Sequence, residues 1–149
     1  MYVAVVGPGD DASAADVAAA RGVGRLLAEA GAVVLIGGLN GVMAAALEGA
    51  AAAGGVSVAL QPGAHRLPSA ATIALPTGLG ELRNALLVRC ADAVIAVGGS
   101  WGTLSEIALA QRTGVPLVCL HGWEIRDETG AVPGLRVAES PEDAVAGIL

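Results

Sequence analysis

The chain has 149 residues, 54% hydrophobic and 2% aromatic with no phenylalanine, and its fourteen acids against eight bases leave a net charge of −6. Such a length suits one domain, with a core of Val, Leu, Ile and Ala of the kind found between helices and a parallel sheet. The acidic balance argues against nucleic acid as partner, because no basic stripe exists to neutralise phosphates. All eight basic residues are arginine, which excludes chemistry that needs a lysine, such as a Schiff base or a Walker-type phosphate loop.

The first apolar run, 2–7, ends in Gly7-Pro8-Gly9. A helix is expected from near Ser13 to Ala30, with Asp16 three residues after the serine as a capping signal. Residues 32–38 read as a second strand ending in Gly37-Gly38, followed by an alanine-rich helix from Gly41 to Ala53. Strands at 56–60 and 71–75 flank the loop QPGAHRLPSA, and a helix covers Leu79 to Ala91. The run 93–99 ends in Gly98-Gly99, a helix extends to Thr113, and 115–120 is the next strand. A polar loop, 121–134, leads to a short strand near Leu135–Val137. The last helix opens on Ser140-Pro141-Glu142-Asp143, with serine at the N-cap, proline at N1 and acids in the first turn.

The mean hydropathy of +0.68 invites a membrane reading. Paired glycines cut every apolar stretch well short of the ~20 residues a spanning helix needs, so no membrane partner is expected. No charged region precedes Tyr2, so no signal peptide is expected. Cys90 and Cys119 lie in apolar patterns and read as buried thiols of a reduced, cytoplasmic protein.

Strand–helix alternation with apolar strands and no hairpin signal predicts an α/β fold, a three-layer Rossmann-like domain with a mostly parallel sheet and helices on both faces. Ligands of such sheets bind outside the carboxyl ends of the strands, at the topological switch point. Three strands end there in glycine, at Gly7/Gly9, Gly37/Gly38 and Gly98/Gly99, where the backbone can approach a ligand closely. Amides opening the next helix can hold an anion, so a phosphorylated, nucleotide-like small molecule is the expected partner. A dinucleotide fits less well, because the first loop reads GPGDDA rather than GxGxxG.

Individual residues refine that picture. Thr103-Leu-Ser-Glu106 reads as a capping box, with Glu106 folding back onto its own helix end or, alternatively, facing the crevice as an ionised base. Arg83 falls inside an apolar arc of Leu79, Leu82, Leu86, Leu87 and Cys90 at helical spacing. An arginine so placed pairs with Asp92 or Glu106, or contacts a ligand phosphate or ribose. Trp101 either stacks on a base or fills a subunit contact. Asn40, in GGLNG, is a turn residue and a candidate ligand contact. His65 and His121 have no ligand-spaced partner, so neither a metal nor a resident cofactor is expected. The alanine-rich helix carries Glu48 as its one charge. Being apolar nearly all round, it predicts cover by a second subunit, hence a homodimer or higher homo-oligomer.

GGLNGVM (37–43), ELRNALL (81–87) and GGSWGTLSE (98–106) resemble three signatures of the LOG family, long labelled "possible lysine decarboxylase", over about residues 2–120. The resemblance implies a nucleoside 5′-monophosphate phosphoribohydrolase with phosphate on residues 98–103. The ligand set is then Gly7, Gly9, Gly38, Asn40, Gly98, Gly99, Ser100, Trp101, Gly102 and Thr103, and Arg83 and Glu106 would be catalytic. Without lysine, the decarboxylase label does not apply. The chain departs from the enzymes at Asn84, where they carry lysine, at Val97, where they carry proline, and in the serine-free first loop. In these respects it is similar to a shorter branch that includes molybdenum-cofactor carrier proteins, which implies the alternative of a non-catalytic carrier or sensor of a phosphorylated pterin or nucleotide.

Overall fold

The structure is a computed structural model that describes every residue except Leu39 and Pro133. Strands β1 (Tyr2–Val6), β2 (Val33–Ile36), β3 (Ser57–Gln61), β4 (Ile73–Pro76), β5 (Ala93–Val97), β6 (Leu117–Leu120) and β9 (Arg136–Ala138) form one parallel sheet. Its order is β4-β3-β2-β1-β5-β6-β9. The chain builds outward from β1 to β4, then returns to place β5 against β1. The switch point therefore lies between the carboxyl ends of β1 and β5.

Strand residues alternate between two cores. Val3 and Val5 join the cluster beneath α1 (Ala14–Glu29), α2 (Gly41–Ala52) and α5 (Pro141–Ala146). Ala4 and Val6 join the cluster beneath α3 (Arg83–Cys90) and α4 (Trp101–Thr113). Burial on both faces is why the central strands read as unbroken apolar runs, whereas the edge strands β4 and β9 are partly exposed. The predicted starts of α1 and α5 hold: Ser13 Oγ accepts from the Asp16 amide and Ser140 Oγ from the Asp143 amide, each at 3.1 Å.

Four expectations change. The 121–134 segment contains a small antiparallel ladder, β7 (Arg126–Asp127) with β8 (Gly130–Ala131), where no hairpin was expected. Its turn closes because Asp127 Oδ1 accepts from both the amide and the hydroxyl of Thr129, at 2.7 Å each. The helix expected from Leu79 opens instead as a 3-10 turn, Gly80–Leu82, which shifts the helical phase. Leu79 and Leu82 are consequently exposed rather than in the core. Cys90 is exposed, while Cys119 is buried and burial pushes its thiol up to about 11.

The fourth change concerns α2. Its apolar surface is covered by α1 of the same chain, leaving Glu48, Ala51 and Ala52 exposed, and Ala45 is buried without a second subunit. Close approach through Gly24 and Gly49 makes this possible: a Cβ on either would lie within 2.9 Å of backbone atoms of Ala46 or Arg21. Glu48 pairs with Arg21 across the two helices at 2.5 Å. The inner face of α2 is thus covered within one chain, while Ala51 and Ala52 on its outer face are exposed.

Candidate functional site

The loops after β1 and β2 close on each other. A side chain at Gly7 would collide with Val42, whose Cβ would be 2.7 Å away, and one at Gly38 with the sulfur of Met43, also at 2.7 Å. Asn40 stands at the N-cap of α2 but makes no side-chain cap; its amide donates instead to Asp10, tying the two loops. It packs beside Gly9, where a Cβ would meet Asn40 Oδ1 at 3.2 Å. Gly7, Gly9 and Gly38 thus make room for the protein's own side chains.

Gly37 makes room for Arg83. A methyl there would lie 2.6 Å from the guanidinium carbon. The arginine side chain, 13% exposed, reaches Glu106, 7% exposed, with Nη1 at 3.5 Å from Oε1. The contact is an ion pair without hydrogen-bond geometry, and Arg83 Nε and Nη1 are buried donors with no acceptor among the described residues. Such orphaned donors are uncommon and point to a functional position. Of the two predicted partners, Arg83 therefore takes Glu106; Asp92 instead accepts from the Tyr2 amide at 2.7 Å.

The capping reading of Glu106 is corrected. Ser100 is the N-cap of α4: its Oγ accepts from the Thr103 amide at 3.1 Å and lies 2.9 Å from Thr103 Oγ1. Thr103 is then the N3 residue, and Glu106 lies nearly a turn further in, buried against Arg83. Its expected ionisation by the helix end is corrected too, because burial pushes the carboxyl up to about 7 against the opposing pull of Arg83. Burial likewise lowers Arg83, partly offset by Glu106. Replacing Ser100 with alanine is expected to cost about 1 kcal/mol of stability, read by urea denaturation; no loss would return the cap to Thr103.

The turn after β5 is open toward Trp101 and Gly102, while its glycines are covered by the protein's own side chains. Gly98 continues the ladder through its amide to the Leu120 carbonyl at 2.8 Å, then turns with φ 70°. Asp16 fills the space beside it, with its carboxyl carbon 2.9 Å from where a Cβ would stand. With Thr103's amide held by Ser100, helix geometry leaves the amides of Trp101 and Gly102 without internal acceptors. Both residues are exposed.

Sequence reasoning missed Trp123. Its indole lies on Gly99, where a Cβ would come within 2.6 Å of Nε1. It meets Trp101 edge-to-face, with centroids 5.0 Å apart and planes at 82°. A signal existed: Trp123 follows a strand's carboxyl end, the edge at which such sheets bind ligands.

The SLOG cluster4 family matches residues 1–145. The chain belongs to that family. This agrees with the LOG-like kinship expected from the sequence, without bearing on the decarboxylase label. An uncharacterised protein of Archaeoglobus fulgidus is 40% identical over 146 residues, covering 97% of this chain and 92% of that one. The molybdenum cofactor binding protein from Rippkaea orientalis has a similar structure, with TM-score 0.88 and 35% identity over 97% of this chain and 93% of that one. The molybdenum cofactor carrier protein from Chlamydomonas reinhardtii gives 0.85 and 28%, over 99% and 94%. The solved structures similar to this chain thus include a molybdenum cofactor carrier protein. Among the described helices, none is long and apolar enough to cross a membrane.

Proposed function

We propose that the protein is a non-catalytic carrier of a phosphorylated pterin-type ligand, held by its phosphate on the turn from Gly98 to Thr103. The carrying observation is the start of α4, where the exposed residues Trp101 and Gly102 leave two amides without internal acceptors at the positive end of a 13-residue helix. Backbone amides and a helix dipole suit a phosphate, and a chain without lysine has no ammonium to offer. Arg83 adds a positive charge beneath the crevice. The likeness to cofactor-binding proteins of Rippkaea orientalis and Chlamydomonas reinhardtii supports a pterin-type cargo over a nucleotide.

Holding is favoured over hydrolysis by the state of Glu106. N-glycosidic cleavage needs a carboxylate close to the anomeric carbon, whereas this side chain is 7% exposed and its carboxyl lies toward Arg83. Arg83 and Glu106 accordingly serve as a positioning pair rather than as catalytic groups.

Gly102→Asp tests the reading. A Cβ there meets nothing closer than Ser100 Oγ at 3.8 Å, and an acid in the first turn favours the helix. The variant should keep its stability while its affinity for a pterin monophosphate falls about 100-fold, through charge repulsion at the phosphate position. Calorimetric titration and thermal melting read the two effects. Unchanged affinity would move the phosphate elsewhere. Release of free base from nucleoside monophosphates by the wild type would replace the carrier with a hydrolase.

A further inference from the structure

We propose that Trp123 and Trp101 together form a ring-binding wall beside the phosphate turn, with Trp123 selecting planar heteroaromatic phosphates over phosphates that lack a ring. The inference rests on the carrier reading and deepens it, assigning the part of the ligand that the backbone amides do not touch.

The chain holds two tryptophans, one tyrosine and no phenylalanine. Both tryptophans, one from the start of α4 and one from the segment after β6, meet at a single glycine turn. Neither is there to fill the core, since Trp101 is 79% and Trp123 43% exposed. Two exposed indoles on a ligand-binding edge, in a chain that spends almost no aromatic residues elsewhere, point to recognition of a flat ring.

The backbone around Trp123 supports the same conclusion. His121 adopts φ 57°, the one non-glycine residue with positive φ among those described. A left-handed histidine is a local strain, of the kind that persists where surroundings hold a functional segment in place. His121 Nδ1 lies 3.6 Å from Asp16 Oδ1, and Asp16 itself packs on Gly98. At Gly122 a Cβ would be 3.3 Å from the Gly98 carbonyl oxygen. Residues 121–123 are thereby held across the turn, and they deliver the pyrrole edge of Trp123 to Gly99. This also explains Gly99: any side chain there would displace the indole. Trp123 Nε1 donates to no acceptor among the described side-chain hydrogen bonds, so the ring brings a free N–H to the phosphate end of the ligand as well as an apolar surface.

The test compares a pterin monophosphate with ribose 5-phosphate on the wild type and on Trp123→Leu. The leucine variant should bind the pterin monophosphate about tenfold or more weakly, the scale of a base–aromatic stack, and ribose 5-phosphate within about twofold. In the wild type, the pterin should quench tryptophan fluorescence and ribose 5-phosphate should not, and Trp123→Phe should recover much of the lost affinity. If Trp123→Leu fails to fold, Trp101→Leu must show the same split. Equal losses for both ligands, or no loss for either, overturn the ring wall and leave the carrier reading standing. A wild type that binds neither ligand overturns both.

Discussion

Between about pH 5 and about pH 8 the protein is expected to lose roughly 2–3 kcal/mol of folding stability through Glu106, and Glu106→Gln is expected to remove that loss. In the folded chain burial raises this carboxyl from its ordinary 4.5 to about 7. The unfolded chain therefore gives up the proton near 4.5, while the folded chain keeps it. The stabilisation is full below about 4.5 and is lost as pH rises through about 7. Glutamine reproduces the shape and neutrality of the protonated acid, so the variant should match the wild type near pH 5 and exceed it at pH 8. Acids with depressed values do not obscure the effect. Asp143, held low by the Glu139 amide and by Arg136, loses its contribution only as pH falls below the usual carboxylate range. Urea denaturation of both proteins across the interval measures the difference. A variant less stable than the wild type at pH 8 would mean that the ionised Glu106–Arg83 pair gains more from attraction than burial costs it.

Such a pair was only partly legible in the sequence. Helical spacing turned Arg83 inward correctly, yet several of its supposed apolar neighbours lie in solvent, because the 3-10 turn at Gly80–Leu82 breaks the phase on which that arc was drawn. The cap of α4 shows a related difficulty. Ser100 and Thr103 each begin a sequence that suits a helix start, and local chemistry does not choose between them. Tertiary structure does: the ladder ends at the bond from Gly98 to Leu120, leaving Ser100 extended at φ −149° and ready to cap. Where the signal was local and unopposed, as at Ser13 and Ser140, the reading holds to the residue. The parallel sheet was legible for a different reason, since burial on both faces leaves its mark on the central strands β1, β2, β3, β5 and β6. Trp123 was hidden because its role depends on contacts with Gly99 and Trp101, which the 121–134 segment makes only once folded.

The contact of α1 with α2 was equally hidden, and it supports the second large effect. Gly24→Ala should destabilise the protein by about 3 kcal/mol or more, an overpacking cost at the upper end of the usual range. In an exposed helix the same change gains about 1 kcal/mol, because alanine is the better helix former. Here the new methyl would lie 2.8 Å from the Ala46 carbonyl carbon and 2.9 Å from its Cα. Backbone atoms cannot swing aside as a side chain does, so α1 and α2 must part. Parting them opens the cluster that includes Val23, Leu27, Val42 and Leu47. At roughly 2–4 °C per kcal/mol for a domain of this size, the melting temperature should fall by about 10 °C. Gly49→Ala, facing the Arg21 carbonyl carbon at 2.9 Å, should behave alike. The displacement should also reach the ligand turn, because Asp16 in the first turn of α1 packs against Gly98. Weaker binding of a pterin monophosphate is therefore expected in Gly24→Ala even at temperatures where the variant is fully folded. A melting temperature equal to or above that of the wild type would show that the helices adjust without cost, and the close α1–α2 contact would then not be what requires glycine at position 24.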